Sequence, residues 1–358
     1  MSKFHALTVS QVGRETRDAV VVTFEVPPEL RDAYRYTQGQ HLTLRAAIDD
    51  EDVRRSYSIC SSVQDDTLRV AIKRTPGGLF STWASESLQA GASLDVMPPM
   101  GHFHVPLSSD NRKHYLAFAA GSGITPMLSI VKTTLQSEPK SSFTLFYGNR
   151  ASSSVIFKEE LAELKDLYLD RFKLVYVMSR EQQDIDLFNG RIDKDKCAQF
   201  FKSWVALDDI DTAFICGPEQ MMHEVSEALR EHGFQKERIK VELFAASAPR
   251  REHVPRAHPI PGNADCEVTL VIDGNHVNFS MEKDKESVLD AALKHGIDVR
   301  HSCKAGVCST CRCKVVEGKV DMDANYALED YEVARGFALS CQSFPVTDRL
   351  VMDFDQDH

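Results

Sequence analysis

What this sequence lacks narrows it first. Across 358 residues no apolar run approaches the ~20 residues that a bilayer-spanning helix needs. The opening Met1-Ser-Lys-Phe-His-Ala has neither the charged start nor the apolar stretch of a secretion signal, so the expected location is the cytoplasm, with no membrane partner. Basic residues are in deficit, 42 Lys and Arg against 53 Asp and Glu, which disfavours a nucleic-acid partner because phosphate backbones call for a basic face. The deficit is uneven. From Ala264 onward 10 Lys and Arg face 18 Asp and Glu, a net −8, leaving −3 of the total −11 to the first 263 residues. An acidic terminal module suits docking to a basic patch on another protein, although a solvated acidic surface reads the same way. No Glu-x-x-His pair of the kind used in di-iron helix bundles occurs, and there is no internal repeat and no low-complexity segment.

What is present is organised around cysteine. Nine cysteines with four in one tight cluster suit a reducing compartment, where the thiol serves as ligand or small core residue. The run Cys303-Lys-Ala-Gly306-Val-Cys308-Ser-Thr-Cys311, completed by the distant Cys341, has the C-x4-C-x2-C spacing of a plant-type [2Fe–2S] loop. Four-cysteine zinc sites usually pair one C-x2-C with another, and only one such pair exists here. A Rieske centre needs His ligands in Cys-x-His pairs, which are absent. Cys313, two residues beyond Cys311, reads as a packed side chain. The expected ligands are therefore Cys303, Cys308, Cys311 and Cys341.

Ahead of this loop the chain changes character twice. Leu7 to Val12, Ala19 to Val26, His41 to Arg45, Ser56 to Ile59 and Leu68 to Lys73 read as short strands at close spacing, which predicts a small antiparallel barrel over 1–107, with one short helix from Phe80 to Leu88. From Lys113, strands alternate with helices: Tyr115 to Ala120, Phe143 to Tyr147, Phe172 to Met178 and Thr212 to Cys216, with helices over Met127 to Leu135, Phe157 to Leu167 and Met221 to His232. That alternation predicts a doubly wound parallel sheet over 108–246 whose ligands sit at the strand C-termini. Prolines at 249, 255, 259 and 261 mark a semi-extended linker over 247–263. A hairpin turning at Asp273-Gly274-Asn275 and a helix from Ser287 to Lys294 open the terminal module, 264–358.

Three further motifs carry chemistry. In Arg55-Ser56-Tyr57-Ser58, alternation puts a guanidinium and an aromatic plane on one strand face, as a flavin nucleotide needs for its phosphate and its ring. Gly77-Gly78-Leu79-Phe80-Ser81 leads into the short helix, whose N-terminus suits a pyrophosphate, so Gly78 and Ser81 join the candidates. Gly121-Ser-Gly123-Ile124-Thr125-Pro126 lies between strand and helix. There the glycines admit a phosphate, Thr125 reads as N-cap and Pro126 as the first helical residue, and a tight turn is the bland alternative. Ser179 and Arg180 close the strand from Phe172, where dinucleotide folds read the adenosine ribose. Arg180 favours NADPH over NADH, and Glu181 weakens that preference. Cys216-Gly217-Pro218 ends a strand where a thiol can approach a nicotinamide, a buried core Cys being the bland reading.

With these motifs in this order the chain resembles the ferredoxin–NADP+ reductase superfamily fused to a C-terminal plant-type ferredoxin, over essentially its whole length. The resemblance implies an antiparallel β-barrel flavin domain, a parallel α/β nucleotide domain and a β-grasp ferredoxin domain, using FAD, NADPH and a [2Fe–2S] cluster. It also implies that Arg55, Tyr57 and Ser58 hold the flavin, that Gly121 to Pro126 and Cys216 to Pro218 line the nicotinamide nucleotide, and that Ser179 and Arg180 meet the 2′-phosphate. Phe244 is implied near the flavin's other face. Phe4-His-Ala-Leu-Thr-Val, Gly39-Gln-His-Leu-Thr-Leu, Tyr147-Gly-Asn-Arg and Asn325-Tyr-Ala-Leu-Glu are similar to the reductase subunits of phenylacetyl-CoA epoxidases, which feed electrons to a separate di-iron oxygenase. The expected partner is thus a set of oxygenase subunits. Tyr57, Ser58 and Cys216 are the residues expected to act in hydride transfer. Two alternatives stand beside this: the reductase of another oxygenase, such as a ring-hydroxylating one, and an electron carrier without NAD(P)H oxidation.

Overall fold

The structure is a computed structural model that describes residues 4–244, 262 and 264–356. The linker expected over 247–263 lies outside the described residues except for Gly262. Among the described residues no helix is long and apolar enough to cross a membrane. Backbone contacts divide the chain into two units, with the break after Leu243, residues 54–56 clustering with the second.

The first unit opens with six strands: β1 (His5–Thr16), β2 (Ala19–Glu25), β3 (His41–Ile48), β4 (Glu51–Ser58), β5 (Leu68–Lys73) and β6 (Ser93–Val96). They order as β4-β3-β6-β1-β2-β5, and an antiparallel bridge from Ile59 to Val70 joins the two ends, closing the sheet as a barrel. Closure removes the open edges a six-stranded sheet would expose. Leu7, Val9, Val22, Leu42, Leu44, Val70 and Ile72 fill the interior, and α1 (Leu79–Glu86) packs Phe80 and Ala84 onto it. The inward set follows the period-2 alternation of β1 and β2, which is why these strands are legible in sequence.

The nucleotide half comprises β7 (His114–Ala120), α2 (Ile124–Ser137), β8 (Ser142–Asn149), α3 (Lys158–Leu167), β9 (Phe172–Met178), α4 (Lys194–Ser203), β10 (Thr212–Cys216), α5 (Glu219–Glu231) and β11 (Ile239–Glu242). All four strand pairings are parallel, in the order β11-β10-β7-β8-β9. β7 is covered on both faces, so Tyr115 to Ala119 reads as a continuous apolar run and not as an alternation. The chain winds outward from β7 to β9 and then returns to β10, which makes the C-terminal ends of β7 and β10 the topological switch point where such sheets bind ligands.

Barrel and nucleotide sheet are tied by half-buried charge. Glu160 of α3 pairs with Arg69 of β5 at 2.9 Å and with Lys132 of α2 at 3.2 Å, and Lys132 also reaches Asp65 at 2.7 Å. Glu15 of β1 accepts the Phe157 amide at 2.7 Å, supplying a barrel carboxylate to the N-terminus of α3. Phe103 of the connector meets Phe214 of β10 edge-on.

The terminal module contains β12 (Asp265–Ile272), β13 (Asn275–Glu282), α6 (Val288–Lys294), β14 (Arg312–Glu317), β15 (Val320–Met322), α7 (Asp330–Ala334), β16 (Phe337–Leu339), β17 (Ser343–Pro345) and β18 (Arg349–Asp353). Five strands order as β13-β12-β18-β14-β16, with β12 and β18 parallel at the centre, and β15 pairs with β17. The β12–β13 hairpin turns on Asp273 and Gly274, both at positive φ, the two-residue geometry that an Asp-Gly pair favours. Helix α6 buries Val288, Leu289, Ala291 and Ala292 in a core shared with Val268, Leu270, Leu350 and Met352, the grasp of one helix by a mixed sheet. Ser287 caps α6 by accepting the Asp290 amide, so the helix begins one residue later than the sequence suggests.

Candidate functional site

The flavin candidates lie on β4 and at the start of α1. Arg55 is exposed and donates to the Arg54 carbonyl at 2.7 Å, while Tyr57 is half-buried with its ring 5.6 Å from Phe80 of α1. Arg55 and Tyr57 are both less buried than Arg54 and Ser58 beside them. Gly78 is the N-cap of α1 and supplies no side chain, so the first-turn amides are not capped from within. A Cβ on Gly78 would stand 2.6 Å from Ser81 Oγ, and Ser81 in turn accepts the Thr75 amide at 3.1 Å. This compact turn, with an uncapped helix end beside an aromatic ring, fits a flavin pyrophosphate.

Beyond β7, a 3-10 turn over Gly121–Gly123 runs directly into α2 at Ile124. This corrects the helix start. Gly123 is the N-cap, Thr125 lies inside the first turn with its hydroxyl donating to the Ser122 carbonyl at 3.1 Å, and Pro126 is the third helical residue. The 3-10 turn satisfies the donors that a Thr cap would have taken. Gly121 has φ +55°, and a Cβ on Gly123 would come within 2.0 Å of the Cys216 carbonyl oxygen. The two glycine turns therefore meet backbone to backbone at the switch point, whereas a Cβ on Gly217 would first meet the flexible end of Met221, 2.6 Å from its Cε. Pro218 caps α5.

Ser58 and Cys216 are brought together with a residue that sequence reading passed over. Ser58, buried, donates its hydroxyl to Glu242 Oε2 at 3.2 Å, and Glu242 ends β11 in register with Cys216. Burial pushes the Glu242 carboxyl up to about 8, the Ser58 hydrogen bond pulling the other way. Burial first, and Glu242 second, also push the Cys216 thiol well above its usual range. A neutral carboxyl, a hydroxyl and a protonated thiol thus converge where the barrel meets the nucleotide sheet. A lone acid inside the apolar run Val241-Glu-Leu243 was the available signal. Lys73, which ends β5, is a second addition: its ammonium stands 3.7 Å from where a Cβ on Gly121 would be.

At the far end of the nucleotide sheet Ser179 and Arg180 are exposed, and their amides donate to the Asn149 and Arg150 carbonyls at 2.9 and 2.8 Å. Glu181 is engaged elsewhere, accepting the Ser152 amide at 2.8 Å and the Ser152 hydroxyl, bonds that hold its carboxyl below the usual range. Asn149 is buried at the end of β8, its side chain beside the Tyr147 hydroxyl. Phe244 lies half-buried two residues past β11.

In the second unit the four cysteine thiols sit two by two. Hydrogen bonding between Cys303 and Cys308 holds the Cys308 thiol below its usual range and Cys303 above it, and Cys341 is raised first by its bond to Cys311. Among the described residues no three such side chains are gathered closely enough to hold a single ion, and the four cysteines, two by two, match in number and type the thiolate ligands of a two-iron cluster. Lys304, Gly306 and Ser309 all take positive φ, curling the loop around the thiols, and the Ala305 amide points at Cys303 Sγ from 3.3 Å. A Cβ on Gly306 would be 2.9 Å from the Ala324 carbonyl, so this position requires glycine. Cys313 is fully buried in the core of the module, where burial raises its thiol, in keeping with a packing role.

Known proteins match this arrangement part by part. Residues 6–105 match an oxidoreductase FAD-binding domain, 118–227 an oxidoreductase NAD-binding domain and 270–346 a 2Fe-2S iron–sulfur cluster binding domain. The chain is 47% identical to a 1,2-phenylacetyl-CoA epoxidase component of Escherichia coli over 99% of both chains. It is 37% identical to the ferredoxin reductase component of the 3-ketosteroid-9-alpha-monooxygenase of Rhodococcus rhodochrous, covering 97% of this chain and 96% of the relative. The solved phthalate dioxygenase reductase shares the fold at a TM-score of 0.60 and 23% identity, over 98% of each chain. The chain belongs to the family that holds this 1,2-phenylacetyl-CoA epoxidase component and related oxygenase reductase components, electron-transfer oxidoreductases built from FAD-binding, NAD-binding and 2Fe-2S domains.

Proposed function

We propose that the chain passes electrons from NADPH through FAD and a [2Fe–2S] cluster to the oxygenase of a phenylacetyl-CoA epoxidase. The observation that carries this reading is the meeting of Ser58, Cys216 and Glu242 where the flavin barrel abuts the nucleotide sheet. When bound, FAD accepts hydride and releases single electrons, and the cluster carries them one at a time. The chain's residues do the rest. Arg55 and the amides around Gly78 and Ser81 would hold the flavin's phosphate, and Tyr57 would offer its ring for stacking. Gly121, Gly123, Ile124, Thr125 and Pro126 form the floor of the dinucleotide site, which Lys73 flanks. Cys216, Gly217 and Pro218 position the nicotinamide. Ser58 and the protonated Glu242 offer a proton and exclude water beside it. Cys303, Cys308, Cys311 and Cys341 are the iron ligands.

NADPH is preferred to NADH because Ser179 and Arg180 are exposed for a 2′-phosphate while Glu181, the group that would repel it, is bound to Ser152. Arg180→Ala should then raise the KM for NADPH at least tenfold and leave that for NADH nearly unchanged; equal effects on both would remove the preference. The chain divides at 1–107, 108–246, 247–263 and 264–358, and works in the cytoplasm.

Anaerobic mixing with NADPH tests the pathway, since flavin and cluster absorbance should both bleach. Oxygenase subunits and oxygen added afterwards should couple NADPH consumption to phenylacetyl-CoA oxidation. The steroid monooxygenase relative supports a second reading with a different oxygenase as acceptor. Bleaching without coupled turnover would select it.

A further inference from the structure

One buried ion pair serves none of these roles. Arg312 follows Cys311 directly and opens β14, and its Nε lies 3.0 Å from Glu332 Oε1, with side chains 11% and 3% exposed. The guanidinium also covers the Phe337 ring, 3.6 Å from its centroid. The Arg312 peptide is pinned at both ends, its amide donating to the Ser309 carbonyl at 2.9 Å and its carbonyl accepting from Arg300 Nη2 at 3.1 Å. Glu332 comes from the short helix α7, where its other oxygen accepts the Glu329 amide at 3.0 Å in a capping box. Two opposite charges are thus sealed from water, one of them directly following a candidate iron ligand.

Folding alone does not call for charge at this place. Burying an ion pair strips both partners of hydration, and an apolar pair of similar volume holds a fold about as well. What an apolar pair cannot supply is a field, which low dielectric makes strong and salt cannot screen. A cluster gains one negative charge when it is reduced. A cation fixed nearby favours the reduced form, and an anion favours the oxidised form.

We propose that Arg312 and Glu332 act as a compensated charge pair that sets the reduction potential of the cluster, Arg312 drawing the electron in and Glu332 limiting that pull. They are tuning residues that act through the ligand loop. The inference rests on Cys303, Cys308, Cys311 and Cys341 being the iron ligands.

A spectroscopic redox titration of the purified holoprotein tests it, together with iron and sulfide analysis. Glu332→Gln should move the cluster potential positive and Arg312→Gln should move it negative. The double variant Arg312→Met, Glu332→Leu should fall between the two single variants and away from wild type, because both opposing charges leave together; a double variant at the wild-type potential would mean that the pair sets nothing. The flavin potential should stay put throughout. If Arg312→Gln fails to hold iron, the sign of the isosteric Glu332→Gln shift decides alone. Potentials that do not move while melting temperatures fall would reduce the pair to a structural clamp and overturn the inference, as would shifts of the same sign. A wild-type protein that carries no iron and sulfide would instead remove the cluster reading, and this inference with it.

Discussion

Glu242 shows how a side chain acquires its meaning only from folding. Its carboxyl is held at about 8 against an ordinary value of 4.5, so it is neutral in the folded protein at neutral pH while the unfolded chain ionises it. The stability associated with the protonated form is fully present below 4.5 and is lost as pH rises through about 8. Wild type should therefore lose melting temperature relative to Glu242→Gln between these values and track it above them. The pH dependence of flavin reduction by NADPH should show an inflection near 8 that Glu242→Gln abolishes. Tyr57→Ala should release flavin while the cluster's visible spectrum persists; loss of both signals would make Tyr57 a folding residue. Arg55-Ser-Tyr57-Ser58 and the cysteine run were legible because their partners lie within a few residues, or because spacing alone encodes them. Glu242 shows in the sequence only as a lone acid in an apolar run, since the hydroxyl it accepts lies 184 residues away in the chain.

At the level of elements, legibility followed apolar content. The buried strands β7 and β10 and the Asp273-Gly274 hairpin stand out in the sequence, the latter because two positive φ values call for that dipeptide. Helix α4 and strand β11 do not. Cys197 and Phe200 are the buried residues of α4, and β11 is a half-exposed edge strand with no alternation to read. The start of α2 was misplaced because a 3-10 turn mimics the cap that Thr125 resembles in sequence. That turn has a strict requirement. Gly123→Ala would set a methyl 2.0 Å from the Cys216 carbonyl oxygen, forcing the two turns apart. It should cost about 1–3 kcal/mol in chemical denaturation. NADPH binding should weaken more than FAD retention, because the strain falls on the nucleotide side of the seam.

At the scale of the whole molecule, barrel and nucleotide sheet are joined by charge that is largely removed from water. Glu160 holds both Arg69 and Lys132 while all three are about four-fifths buried. Glu160→Ala should cost about 1–3 kcal/mol, between the limits for exposed and buried pairs. It should slow flavin reduction in stopped flow without changing the absorption of either chromophore. A larger effect on cluster reduction than on flavin reduction would count against this joint as the positioning element. The contact between Gly123 and Cys216 sits in the middle of the nucleotide sheet, between β7 and β10, and the exposed pair Ser179 and Arg180 at its β9 edge. The first is locked by main chain and tolerates no redrawing, whereas the second is open ground. With Ser179 and Arg180 in the proposed role, coenzyme choice becomes an edit, by an engineer or by drift, that leaves the middle of the sheet untouched.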